Sequence, residues 1–275
     1  MPTLRALTYN VCWDCMTERA QGGSAAELSA RCRAAPGQCL QRVCANIEAV
    51  HAAARLHLVG LQEASRWQRI QARTPCLAAF TACPGRSGHE HICLFVHPAF
   101  AVRWHATTSI EPGRPLQLAR LRHRASGRAV VVVHLHNGHR GANAAQLQAV
   151  IARVRGLARH LGRLRTALVV CLGDWNEPEG VFARGFRPFA RTPLALRDVE
   201  VGSAAPLPRS CCSTRPTARM PWAGDFVLGN RPTRNVAVGL PGDASDHWPV
   251  LAAVAWRPSA AAAAPEAATA AGPAA

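Results

Sequence analysis

Six short apolar runs, each closed at one end by a polar residue, constrain this chain more than any other feature. Residues 4–11 end around Asn10, and residues 57–61 run into Gln62-Glu63. Residues 130–133 lead to His134, and residues 169–173 lead to Asp174 and Asn176. Asp225 precedes Phe226-Val227-Leu228, and Asp246-His247 precede Trp248-Pro249-Val250. Runs of this length bounded by turn formers read as buried strands. Strand ends are rigid platforms, so six of them can converge on one rim. Singly, each ending is ordinary. A Glu after a strand suits the start of a following helix, and Gly-Asp-x-Asn suits a turn. Together, the order Asn, Glu, His, Asp-x-Asn, Asp, Asp-His is specific.

The rest of the chain supplies the frame. Leu40, Val43, Ile47, Val50 and Ala54 have helical spacing over residues 39–56, and residues 64–72 suit a second, shorter helix. Residues 142–164 read as one long helix, with Leu147, Val150, Ile151, Val154, Leu157 and Leu161 on its apolar stripe. Residues 91–97 and 101–107 are strand-like, and residues 116–123 and 129–135 read as a hairpin. Residues 17–38 suit a loop or loose helical insertion, and residues 187–224 are Pro- and Arg-rich and loop-like. The chain's 275 residues suit one large α/β domain over residues 1–257, carrying a Cys-containing insertion at about 12–39. Residues 258–275, almost entirely Ala and Pro, read as a disordered tail.

The formal net charge is +16, and every cation is Arg. Such a surface attracts phosphate polyanions, either nucleic acid or acidic lipid. No apolar run reaches the roughly 18 residues of a membrane span, and no apolar leader precedes the first strand. The expectation is an intracellular protein, cytoplasmic or nuclear. An odd count of eleven cysteines argues against a secreted disulfide framework. Cys93 and Cys171 read as small buried hydrophobes. Cys12, Cys15, Cys32 and Cys39 are open to three readings: a structural Zn²⁺, a disulfide, or free thiols. Cys211-Cys212 reads as a packed strand start or a redox-sensitive rim.

The stretches Thr8-Tyr9-Asn10-Val11, Leu61-Gln62-Glu63, Val133-His134-Leu135, Leu172-Gly173-Asp174-Trp175-Asn176, Gly224-Asp225-Phe226-Val227 and Ser245-Asp246-His247-Trp248-Pro249-Val250 span almost the whole folded part. Together they resemble the endonuclease/exonuclease/phosphatase superfamily, the deoxyribonuclease I-like fold. That resemblance implies an α/β (α+β) four-layer sandwich, with two mixed β-sheets flanked by helices. It also implies divalent-metal-dependent hydrolysis of phosphate esters.

On the resemblance, Glu63, Asn10 (through its amide oxygen) and Asp246 are the metal ligands. The ion is Mg²⁺, with Mn²⁺ as a substitute, because hard cations take oxygen donors and neutralise phosphate. His247 paired with Asp225 acts as general base or phosphate-polarising acid. Asp174 is a second candidate for activating water, and His134 and Asn176 donate to phosphate oxygens. The leading reading is a nucleic-acid phosphodiesterase: an endo- or exonuclease, or a DNA-end-processing enzyme, with nucleic acid as its partner. The alternatives are a phospholipid phosphodiesterase or inositol-phosphate phosphatase of the same fold, and an inactive nucleic-acid-binding module. Three features stand outside the pattern. The segment 13–39 follows Asn10 directly. His136-Asn137-Gly138-His139-Arg140 is either a phosphate contact or a plain loop. Trp13, Trp175, Trp222 and Trp248 either stack on a base or pack the rim.

Overall fold

The computed structural model describes residues 3–12, 26–138, 143–176, 194–196, 199–201, 203, 207–212, 223–238 and 245–256. The tail beyond 257, Trp13, Cys15, Trp222, and His139-Arg140 lie outside the described residues. The first sheet has the order β12-β13-β1-β2-β4-β3. Its strands are β1 (Thr3–Asn10), β2 (Leu58–Gln62), β3 (Thr81–Ser87), β4 (Glu90–Val96), β12 (Thr233–Ala237) and β13 (Val250–Ala255). The second has the order β11-β8-β7-β6-β5. It contains β5 (Phe100–Glu111), β6 (Arg114–His123), β7 (Ala129–His136), β8 (Leu168–Asp174) and β11 (Asp225–Gly229). Strands β9 (Leu194–Leu196) and β10 (Val199–Val201) form a separate two-stranded ladder.

The side-chain period of two builds three apolar layers from these strands. Leu4, Ala6, Leu58 and Leu94 of the first sheet pack against Leu121, Val130, Val132, Val170 and Val227 of the second. The opposite face of the first sheet (Leu7, Tyr9, Val59, Leu61) packs against helix α2 (Gln38–Ala54) through Leu40, Val43, Ile47 and Val50. Helix α3 (Trp67–Arg73) adds Ile70 to that layer. The outer face of the second sheet (Val131, Val133, Leu135, Val169) packs against α4 (Asn143–Gly156) through Val150, Ile151 and Val154. The short helix α5 (Ala158–Leu161) contributes Leu161. This is the four-layer sandwich expected from the sequence, helix–sheet–sheet–helix.

Two local expectations need correction. The single helix over 142–164 is two, interrupted after Gly156, whose backbone freedom favours a break. Residues 81–87, which the sequence pattern leaves unassigned, form β3, the edge of its sheet, where Pro84 is tolerated. Within 187–224, the described residues include β9 and β10. The insertion contains helix α1 (Ala26–Ala34), whose Leu28 and Cys32 pack on Cys12 and Cys39. Cys32 and Cys39 are joined in a disulfide with Cα atoms 5.6 Å apart, and Cys12 is disulfide-bonded as well. That removes the thiolates a four-cysteine Zn²⁺ site would need. Cys93 and Cys171 are free and fully buried, as expected. Among the described residues, no helix is long and apolar enough to cross a membrane.

Candidate active site

Strand direction gathers the polar endings at one end of the sandwich. Strands β1 and β2 run parallel, as do β7 and β8, so Asn10, Gln62, His136 and Asp174 emerge together. Strand β11 is antiparallel to β8 and starts level with its end, pairing Asp225 with Asp174. Strand β13 is antiparallel to β1, with Val250 opposite Thr8, which brings Asp246 and His247 to the same rim. Parity then aims Asn10, His134, His136, Asp174 and Asp225 into the layer between the sheets. Gly173 permits this crowding: a Cβ there would collide with the carbonyl of Leu135 on the neighbouring strand.

His247 is the best-defined group. Its Nδ1 lies 2.7 Å from Asp225 Oδ2, and its Nε2 is 3.8 Å from Asp174 Oδ2 and 3.9 Å from Asp246 Oδ1. Burial works to lower its pKa, but Asp225, Asp174 and Asp246 outweigh burial and raise it well above the ordinary value. The surrounding carboxylates thus favour the protonated ring, whose Nδ1 is hydrogen-bonded to Asp225. Ser245 ties this loop to β1 through its hydroxyl, which donates to the Asn10 carbonyl at 2.7 Å.

Glu63 sits just past β2 in a left-handed backbone conformation, φ 51°, a state that costs a non-glycine residue energy and recurs at functional sites. Burial, reinforced by Glu90 and Asp246, raises its carboxyl to about 7. Asn10 Nδ2 donates to Glu63 Oε1 at 3.0 Å and to Asp174 Oδ2 at 2.9 Å. Its Oδ1 accepts from the Cys12 backbone N–H, which fixes the amide orientation. Asn10, expected as a metal ligand through its oxygen, here offers its nitrogen to the two carboxylates and bridges them.

His134 also lies elsewhere than expected. It is fully buried one step below the rim, with Nε2 2.7 Å from Gln62 Nε2 and Nδ1 3.2 Å from Gln117 Oε1. The chain of bonds is self-consistent for a neutral ring. The Thr8 hydroxyl donates to Gln62 Oε1, the Gln62 amide donates to His134 Nε2, and Nδ1–H donates to Gln117, whose amide donates to the Cys83 carbonyl. Burial, with His136 adding to it, lowers the His134 pKa to about 3. In this position His134 is a polar strut between the sheets.

The rim position on β7 belongs instead to His136, fully buried and two residues further along the same face. Its Nε2 is 3.8 Å from Glu63 Oε1 and 3.6 Å from Asp174 Oδ2, and its Nδ1 is 3.4 Å from Glu90 Oε2. Arg114 NH1 donates to His136 Nε2 at 3.0 Å. Sequence reasoning missed Glu90 and Arg114 altogether. They sit at the tips of the β3–β4 and β5–β6 hairpins, and the only signals were Gly88 and Pro112-Gly113. Asn176 is buried at φ 50°, its backbone N–H donating to Asp174 Oδ1 and its side-chain amide to the Asn137 carbonyl. Trp175 packs rather than waits for a base: it stacks on Phe226 at 5.0 Å and its Nε1 donates to the Phe226 carbonyl.

Five carboxylates (Glu63, Glu90, Asp174, Asp225 and Asp246) thus face two imidazoles and Arg114. Among the described residues, Asp225 Oδ1 is buried with no hydrogen-bond partner. An acidic, oxygen-rich, partly unsatisfied cluster of this kind fits a hard divalent cation.

The model of the Endonuclease/Exonuclease/phosphatase family matches residues 7–247. A search of curated protein sequences finds no match. Among solved structures, a mannosyl-6-phosphatase of Bacteroides thetaiotaomicron is similar at TM-score 0.63 and 14% identity, over 92% of this chain and 100% of that one. TDP2 of C. elegans is similar at TM-score 0.61 and 15% identity, over 92% and 75%. The human Nocturnin catalytic domain is similar at TM-score 0.59 and 13% identity, over 93% and 95%. At these identities the likeness is one of fold.

Proposed function

Because the chain belongs to the endonuclease/exonuclease/phosphatase family, with residues 7–247 matched, we propose that it is a Mg²⁺-dependent phosphodiesterase, Mn²⁺ substituting, whose substrate is nucleic acid. The observation that carries this reading is the buried His247–Asp225 pair, aimed at Asp174 beside Glu63 and Asp246. Glu63 and Asp246 would hold the ion, which when bound offsets phosphate charge and acidifies water.

The chain's own groups do the rest. Asp225 fixes the His247 ring and holds its Nδ1 proton. The Nε2 proton then points to the rim, where it donates to a phosphate oxygen as charge develops there. Asp174, oriented by Asn10 and by the backbone N–H of Asn176, takes the proton of the attacking water. Asn176 has a second amide hydrogen for a non-bridging oxygen. His136, which accepts from Arg114 at Nε2, lies beside both Glu63 and Asp174. The +16 charge favours a polyanion over a small neutral substrate.

The test is a panel of plasmid, single-stranded DNA, RNA, an abasic duplex, a 5′-tyrosyl oligonucleotide, mannose 6-phosphate, an inositol phosphate and sphingomyelin. Each is incubated with Mg²⁺, Mn²⁺ or chelator. We expect cleavage of a nucleic acid with either ion, none with chelator, and a loss of about 10²–10⁴ in kcat for His247→Ala. Phosphate release from a sugar or inositol phosphate with every nucleic acid intact would overturn the substrate assignment. Salt-sensitive DNA binding without turnover on any substrate would overturn the enzyme.

A further inference from the structure

Two cysteines lie against the same histidine nitrogen that faces the rim. Cys211 forms an isolated β-bridge with His247, which holds the two backbones in register. Cys211 Sγ is 3.4 Å and Cys212 Sγ 3.5 Å from His247 Nε2. The His247 ring is itself almost fully buried and anchored on its far side by Asp225. In the structure the two sulfurs are joined as a disulfide. Nothing in the proposed hydrolysis uses them, and hard Mg²⁺ has little affinity for sulfur.

We propose that Cys211, Cys212 and His247 form a redox-gated site for a thiophilic divalent cation of the zinc class, and that filling it shuts off the hydrolase by occupying His247 Nε2. The geometry supports the ion. With Zn–S near 2.3 Å and Zn–N near 2.0–2.1 Å, a tetrahedral S···N edge is about 3.5 Å. Both sulfur–nitrogen separations have that length. Cys211, Cys212 and His247 supply three protein donors, and water completes the tetrahedron. The thiolate pair distinguishes this site from the oxygen cluster around Glu63, so the two centres select different ions.

The gate is the disulfide. Two equivalents of a small thiol reduce the Cys211–Cys212 bond, delivering two electrons and two protons, and are themselves oxidised to a disulfide. The cation then displaces both thiol protons and the Nε2 proton to solvent as two metal–sulfur bonds and one metal–nitrogen bond form. The oxidised chain has no thiolates to offer and keeps Nε2 for the substrate.

The inhibitory half of this proposal rests on the hydrolase reading above; the binding half does not, so the two are measured separately. The full chain, reduced or oxidised, is titrated with Zn²⁺ and with Co²⁺ in excess Mg²⁺. Binding is read by calorimetry and by the sulfur-to-cobalt charge-transfer absorbance. A Cys12→Ser/Cys15→Ser/Cys32→Ser/Cys39→Ser background removes the second cysteine cluster. We expect one ion per reduced chain with the charge-transfer band, and none in the oxidised chain. Cys211→Ser/Cys212→Ser should lose about 100-fold or more in Zn²⁺ affinity. Turnover of the reduced protein should fall at least about tenfold with one equivalent of Zn²⁺ and recover with a zinc-selective chelator, while the double variant stays active. If the double variant does not fold, Cys212→Ser alone and capture by phenylarsine oxide, which requires two neighbouring thiols, replace it, both in the reduced background that lacks the second cysteine cluster. Equal affinity with and without the thiols overturns the site. Zn²⁺ bound through sulfur with undiminished turnover overturns the inhibition. An enzyme silent on every substrate leaves the binding measurement standing while refuting the function.

Discussion

Histidines 134 and 136 show what one residue's depth in a strand decides. Both face the inter-sheet layer, but only His136 touches Glu63 and Asp174, whereas His134 has both nitrogens engaged by glutamines. We expect His136→Ala to lower kcat about 10²-fold with little change in melting temperature, and His134→Ala to destabilise the fold while leaving folded molecules active. Urea unfolding and single-turnover rates on both variants check this; the reverse pattern would refute it. Glu63→Gln should abolish Mg²⁺-dependent turnover with the fold intact, and should also abolish the rise in melting temperature that Mg²⁺ gives by binding only the native state. Normal turnover at millimolar Mg²⁺ would remove Glu63 from the ion. The residue types were legible because an oxygen-rich rim needs Asp, Glu and Asn whatever surrounds it. Which of two alternating histidines stands at the rim was not, because period two is blind to where a strand stops. Asn10 was legible as a site residue but not in its role, which depends on the Cys12 N–H that orients its amide.

At the scale of elements, the first four strands of the rim were readable from their apolar runs, and β3 and β12 were not. β3 carries Pro84 and Gly85, and β12 (Thr-Arg-Asn-Val-Ala) buries the polar Thr233 and Asn235 while exposing Val236, so its alternation leaves no apolar pattern. Close strand approach, equally, is visible only once the sheets are assembled. Gly173→Ala places a methyl against the Leu135 carbonyl, a backbone atom in a packed strand. We expect a loss of about 1–3 kcal/mol in stability by denaturant unfolding; an unchanged midpoint would show that β7 and β8 can separate freely. The His134 strut adds a pH signature. Its folded pKa is about 3 against an ordinary value of 6.5, so between those values the unfolded chain binds the extra proton. The strut's contribution to stability is therefore fully present above about 6.5 and is lost as pH falls towards 3. Relative to wild type, His134→Asn should flatten the pH dependence of unfolding free energy across that window, measured in chelator. An unaltered slope would mean that the ring titrates as it does in the unfolded chain.

For the whole molecule, the sandwich separates two electrostatic regimes. The rim is a buried acidic cluster, whereas the cationic surface is spread widely, with Arg120, Arg153, Arg155, Arg159 and Arg163 all exposed. Salt screens exposed charges over about 8–10 Å at physiological strength but acts weakly on buried pairs. If the arginines recruit a polynucleotide and the rim performs the chemistry, the two steps must respond differently to salt. We expect KM for a long oligonucleotide to rise by about 10³-fold between 50 and 200 mM salt for six phosphate contacts, with kcat changing less than about twofold because His247, Asp225 and Asp174 are shielded. A mononucleotide substrate, which spans few arginines, should show a nearly flat KM. Steady-state kinetics at fixed free Mg²⁺ across that range decide the matter: a flat KM for the long substrate would make the +16 charge irrelevant to recognition, and a kcat that fell in step with salt would place the rate-limiting ion pair at the surface rather than in the rim.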